Sequence, residues 1–100
     1  MDHRLEKLLT AVECLATSNM PIQERLVSAM MAMSALDAKD FPKDMRQGYS
    51  DLWAEVTSVD PKGKDASIRS TISRMSNEVA EQYARRIVAM LGELADRQDA

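Results

Sequence analysis

The chain contains few of the residues that build β-turns, with three glycines and three prolines in 100 residues. A β-sandwich or barrel needs a turn about every 8–12 residues, so this shortage argues against an all-β fold. Only four aromatic residues are present, so Leu, Ile, Val and Met must fill the core. No apolar run reaches the roughly 18 residues of a membrane-spanning helix, so we expect no membrane segment.

Cysteine and histidine each occur once, which removes the commonest disulfide and metal chemistry. Cys14 has no partner for an intrachain disulfide, and a secreted protein seldom carries an unpaired thiol. His3 has no second histidine at helical spacing. The carboxylates do not converge on one centre: Asp51 and Glu55, for example, are an i,i+4 pair on the side of their helix away from the core. We therefore expect no catalytic residue, no metal and no cofactor.

The overall composition is that of an ordinary globular protein. Hydrophobic residues make up 45% of the chain, and its length suits a single helical domain over residues 1–100. The net charge of −3 provides no general attraction to nucleic acid or to an anionic membrane. Together with the lone thiol, these features predict a cytoplasmic protein.

Apolar residues recur at helical spacing in four stretches of the chain. They fall at i, i+3, i+4 and i+7, which places one stripe of a 3.6-residue helix against a core. The stripes consist of Leu5, Leu8, Leu9, Val12, Leu15 and Ala16, of Ile22, Leu26, Ala29, Met30, Met33 and Leu36, of Phe41, Met45, Tyr49, Leu52 and Val56, and of Val79, Tyr83, Ile87, Met90, Leu91 and Leu94. The short connections between stretches predict an all-α fold, a compact antiparallel bundle of four long helices plus one short helix.

Local signals indicate where these helices begin and end. Pro21 and Pro42 suit a first helical turn, where the missing N–H costs nothing, and Asp40 and Ser76 suit N-caps. The predicted helices span residues 2–17, 21–37, 40–56, 67–75 and 76–96. Whether the last two are one kinked helix or two separate helices stays open.

Four residues outside the main stripes are candidates for a partner-binding surface. Val27 and Met31 lie about 130–170° around the second helix from its stripe, so a bundle that covers one face would leave them exposed. Trp53 lies about 70° from the centre of the third stripe, and tryptophan often anchors interfaces. Cys14 lies about 150° from the first stripe. The alternative for all of them is an ordinary place in the core or at its margin.

A basic segment supports a second hypothesis. Residues 62–86 carry six bases and three acids, a net charge of +3. The candidates for phosphate contacts are Lys62, Lys64, Arg69, Arg74 and Arg85. Within the segment, Ser70-Thr71-Ile72-Ser73-Arg74 resembles the recognition helix of helix-turn-helix DNA-binding proteins, which implies a DNA- or RNA-binding regulator. The helix and small-residue turn that precede a recognition helix have no counterpart here, and a solvated helix face is the alternative.

The leading hypothesis is a small cytoplasmic protein–protein interaction or regulatory protein without catalytic activity. It would act by self-association as a homo-oligomer or by docking a protein partner. Nucleic acid is the less favoured ligand because the chain as a whole is acidic.

The periodicity generates a spectroscopic prediction. Far-UV circular dichroism should show a largely helical protein without appreciable strand content, because the apolar stripes have helical spacing and turn residues are scarce. A spectrum with about one-fifth strand would contradict the fold assignment.

Overall fold

The computed structural model describes residues 3–17, 19–59 and 63–98. The α-helices are α1 (His3–Thr17), α2 (Ile22–Ala32), α3 (Arg46–Val56), α4 (Lys64–Ile72) and α5 (Asn77–Gln98), and 3₁₀ turns occur at Ala38–Asp40 and Lys43–Met45. No strand occurs in the described ranges, so the predicted all-α fold is confirmed. The division into four long helices and one short helix is approximate, because α2 and α3 have 11 residues each and α4 has 9.

Hydrogen bonds at both ends show that α1 and α2 run antiparallel. Nη1 of Arg25, in the first turn of α2, donates to the Leu15 carbonyl oxygen near the end of α1 at 2.8 Å. Nη1 of Arg4, at the start of α1, donates to the Asp40 carbonyl oxygen, beyond the end of α2, at 2.8 Å. The last turn of α1 contains no basic residue of its own. Arg25 therefore also supplies the positive charge that stabilises a helix C-terminus.

A continuous buried core draws on every helix. The side chains that are 0% exposed include Leu8, Leu26, Leu52, Ile68 and Ile87, one from each helix in chain order. The α1 helix packs on α2 and α5, and α2 also contacts α5 and α4. The short α2 helix therefore has neighbours on more than one side.

The α2 helix ends at Ala32 rather than at the predicted Asp37. Beyond its end, the Tyr49 hydroxyl lies 3.0 Å from the Met33 carbonyl oxygen and 2.8 Å from the Leu36 carbonyl oxygen. A helix that continued to Asp37 would use the Met33 carbonyl group for its own i→i+4 bond, whereas the Leu36 carbonyl group would be among the last four, which have no partner within the helix. A buried tyrosine hydroxyl needs a hydrogen-bond partner. The contact of Tyr49, on α3, with these carbonyl groups therefore takes the place of the last helical turn that the spacing of apolar residues predicted for α2.

The third helix begins later than predicted, at Arg46 rather than beside Asp40. Phe41 has extended backbone, with φ −100° and ψ 157°, because the following Pro42 disfavours the helical conformation in the residue before it. The chain makes a 3₁₀ turn on each side of this point. The Phe41 ring packs on the Tyr49 ring with their centroids 4.4 Å apart.

Residues 67–96 belong to two helices, which answers the question that the sequence left open. The α4 helix ends before the Ser76 region, and Ser76 Oγ accepts the Val79 N–H of α5 at 3.2 Å. The predicted N-cap at Ser76 is therefore confirmed. Nε2 of Gln23, on α2, donates to the Met75 carbonyl oxygen at 3.0 Å. The junction between α4 and α5 is thus tied to α2.

The pKa of Tyr49 is raised to about 12, mainly by burial, and the negative charges of Asp37 and Asp40 act in the same direction. The folded state therefore favours the protonated phenol more than the unfolded chain does, whose tyrosine pKa is about 10. This contribution to stability is complete below pH of about 10 and is lost as the pH rises toward 12.

Tyr49→Phe should keep the ring packing and lose only the hydroxyl. We expect the free energy of unfolding in urea to fall by about 1–2 kcal/mol, because the buried Leu36 carbonyl oxygen loses its donor. Tyr83→Phe is the matched control, since the Tyr83 hydroxyl donates to the exposed Glu55 carboxylate at 3.0 Å and its loss should cost about 0.5 kcal/mol or less. Equal effects of the two substitutions would contradict the role assigned to Tyr49.

Candidate functional site

The expectation that Val27 and Met31 form an exposed strip is wrong. Val27 is only 6% exposed and lines a crevice with Arg69 and Ser70 of α4. Met31 is half-buried against the core, and its Sδ lies 4.0 Å from Nη2 of Arg69. The physical reason is that α4 packs across the face of α2 that the sequence left without a neighbour. The chain's own fold therefore covers the apolar surface proposed for a partner.

Trp53 and Cys14 are both half-buried and packed against the core. The Trp53 ring meets the Tyr49 ring edge-on, at a centroid distance of 6.4 Å and an interplanar angle of 74°. The predicted position of Trp53 at the core margin is confirmed. A partner-binding role for Trp53 or Cys14 stays a prediction.

The described basic candidates lie at different places in the fold. Lys62 lies outside the described residues, and Lys64 is the first residue of α4. Arg69 lies beside α2, Arg74 follows the end of α4, and Arg85 faces a separate groove along α5. Arg69 and Arg85 therefore line different grooves, and nucleic-acid binding through this segment stays a prediction.

The segment that resembles a recognition helix is not presented as one. The α4 helix ends at Ile72, so residues 70–74 run across a helix terminus. Ile72 is 0% exposed and Thr71 is 6% exposed. The Thr71 hydroxyl oxygen accepts the Val59 N–H at 3.0 Å. Two of the five side chains are thus used inside the fold and cannot reach base edges.

An apolar groove lies where α1 ends, α2 begins and α5 passes both. Its apolar lining consists of Leu15, Ile22, Ala84, Val88 and Ala89, and Arg25, Glu81 and Arg85 add charge. The cavity volume is about 440 Å³. We call this surface the α1–α2–α5 groove.

Val88 is the large apolar residue of this groove that is exposed, at 48%. By contrast, Leu15 is 7% and Ile22 is 9% exposed. The groove is thus a place where the buried core continues to the surface. An apolar side chain bound there would extend the core outward, and exposed apolar surface of this kind is typical of interaction sites.

Val88 was not among the residues predicted from the sequence, although the spacing of its neighbours on α5 indicated it. Residues 81, 84, 85 and 88 of α5 fall at i, i+3, i+4 and i+7, and two of them are apolar. They lie beside the stripe that contains Ile87 and Leu94, which are both 0% exposed. Val79, which was assigned to that stripe, is instead 39% exposed. Counting apolar residues at the positions beside the stripe would have indicated a second apolar face on α5.

Arg25 is held in place at the groove. Its Nε donates to the Met20 carbonyl oxygen at 2.9 Å, in addition to the Nη1 bond to Leu15. Its guanidinium therefore has a fixed position next to the apolar lining. Arg85 is exposed, and no ion pair joins it to a carboxylate among the described residues.

Glu55 on α3 and Asp44 beside its start each take part in an ion pair with an arginine of α5. Arg86 of α5 binds Glu55 at 3.1 Å, and Arg97 binds Asp44 at 2.6 Å. Hydrogen bonds from Arg86 and then Tyr83 lower the pKa of Glu55. The hydrogen bond from Arg97 likewise lowers the pKa of Asp44. Both groups stay ionised near neutral pH, the opposite of what a general acid requires.

The described residues contain no group of three or more His, Cys, Asp or Glu that could hold a metal ion. In the same ranges, no helix is both long and apolar enough to cross a lipid bilayer. The chain matches no protein family, and comparison with curated proteins and with solved structures found no similar protein.

Val27→Asp tests whether α4 covers α2. We expect the free energy of unfolding to fall by at least about 2 kcal/mol, because a carboxylate would be buried between the two helices and the exposed Arg69 beside it would offset only part of that cost. The matched control is Ser28→Asp, since Ser28 is the next residue of α2 and is exposed. It should change stability by about 0.5 kcal/mol or less. A Val27→Asp variant as stable as the control in urea unfolding would show that this face is open.

Proposed function

We propose that the chain is a small cytoplasmic protein–protein interaction protein that acts by self-association or by docking a partner and performs no catalysis itself. The observation that supports this proposal most directly is the exposure of Val88 in an apolar groove whose walls include core residues. Pockets that take an apolar anchor side chain are typical of protein interfaces. The proposal moves the interaction surface from the Val27–Met31 face to the α1–α2–α5 groove.

The size of the groove limits the strength of the interaction. Complete burial of a valine side chain contributes roughly 1.5 kcal/mol, and the exposed half of Val88 contributes about half of that. Association also costs translational freedom and side-chain order. A site of this size therefore supports a weak, reversible contact, unless further surface around it is also buried.

The alternative function predicted from the sequence is a nucleic-acid-binding regulator, which would bind through residues 62–86. The separate placement of Arg69, Arg74 and Arg85 does not favour it. The steepness of the salt dependence of binding separates the two functions. Affinity for nucleic acid would fall steeply as salt rises, because each phosphate contact releases counterions.

Val88→Gln tests the groove without a change of charge. We expect the apparent dissociation constant for self-association or for a captured partner to rise at least about fivefold, because an apolar contact is replaced by an amide that must be desolvated. Sedimentation velocity over a concentration series measures self-association. Affinity capture from the native host, followed by titration of the captured protein, measures docking.

Val79→Gln is the control for this experiment. Val79 is on the same helix and is 39% exposed, but it does not line the groove. We expect this variant to associate like the parent. If Val88→Gln and Val79→Gln behave alike in both measurements, the groove is not the interaction site.

A further inference from the structure

A second exposed feature complements the groove. On α1, Glu6, Leu9 and Glu13 share one face at i, i+3 and i+7. Leu9 is 38% exposed and both glutamates are exposed. No ion pair joins either glutamate to another described residue. We call these three residues the acidic strip.

The charges of the two surfaces are opposite. The groove has Arg25 and Arg85 against Glu81, a net of +1. The surface around the acidic strip has two glutamates against Lys7, a net of −1. Each surface also has one exposed large apolar residue, Val88 on one and Leu9 on the other. An apolar contact flanked by opposite charges is the arrangement that gives an interface its orientation.

The strip cannot reach the groove of its own chain. Leu9 and Leu15 are six positions apart on α1, which places them about 120° apart around the helix. The two surfaces therefore face different directions on one rigid helix. Any contact between them must join two molecules.

We infer that the α1–α2–α5 groove binds the acidic strip of a second copy of this chain, with Leu9 against Val88 and the glutamates near Arg25 and Arg85. This inference rests on the proposed interaction function and specifies its partner. The contact joins unlike surfaces, so it closes as a dimer when the two contacts are related by a twofold axis and otherwise extends to longer assemblies.

Charge reversal tests the pairing directly. Arg85→Glu changes the groove and Glu13→Lys changes the strip. Each single substitution should raise the dissociation constant of self-association at least about fivefold, because an attraction across the contact becomes a repulsion. The double variant should return to within about twofold of the parent. Sedimentation velocity should cover roughly 5–500 µM, since contacts of this size are weak.

Two reversals outside both surfaces serve as controls. Arg74→Glu matches the groove variant, and Asp51→Lys matches the strip variant, since both residues are exposed and line neither surface. Both controls should associate like the parent. If circular dichroism shows that a reversal unfolds the chain, Arg85→Gln and Glu13→Gln replace it, with smaller losses expected. Raising NaCl from about 50 to 500 mM should also weaken the parent's self-association.

The outcomes separate this inference from the proposed function. Loss in both single variants with rescue in the double variant supports the inference. If the parent associates but the reversals have no effect, or the double variant shows no rescue, the inference is overturned while self-association stands. A parent that stays monomeric throughout also overturns it. The proposed function then survives only if a different protein docks and Val88→Gln weakens that binding.

Discussion

The burial of α2 on more than one side is the constraint on which the rest of the fold depends. An isolated helix of 11 residues is too short to be stable in water. It forms because α1, α5 and α4 all pack against it. Its polar side chains also serve its neighbours, since Gln23 binds the junction before α5 and Arg25 binds the end of α1.

The same constraint determines which apolar surface remains for function. Because α4 covers Val27 and Met31 is half-buried, that side of α2 presents little apolar area. On the other side, the start of α2 meets the end of α1 and the middle of α5. At this place the three helices leave part of the apolar surface exposed. Ile22 and Leu15 are nearly buried at this place, whereas Val88 is half exposed. The surface most suited to a protein contact is therefore an extension of the core.

Two ion pairs join α5 to α3 and to the turn before it, and they involve the carboxylates Glu55 and Asp44. Asp44, in the 3₁₀ turn before α3, and Glu55, on α3, are separated by the same number of residues as Arg86 and Arg97 of α5, and they pair in opposite order along the chain. Equal spacing in antiparallel helices lets both pairs form together. Such exposed pairs contribute little stability individually. Their effect is to set the relative register of the two helices and to keep both carboxylates ionised.

The sequence by itself determined the helical class, most of the core and several helix ends. Residues such as Leu8, Leu26 and Ile87 repeat at a helical period, and Ser76 has the side chain of an N-cap, so both signals are local. Only the tertiary structure decided which helix faces outside the main apolar stripes are covered by another helix. A helical period tells which residues share a face, but it does not tell what packs against that face. For that reason Val27 was assigned to the surface and Val88 was overlooked, although the position of α4 buries the first and the meeting of α1, α2 and α5 leaves the second exposed.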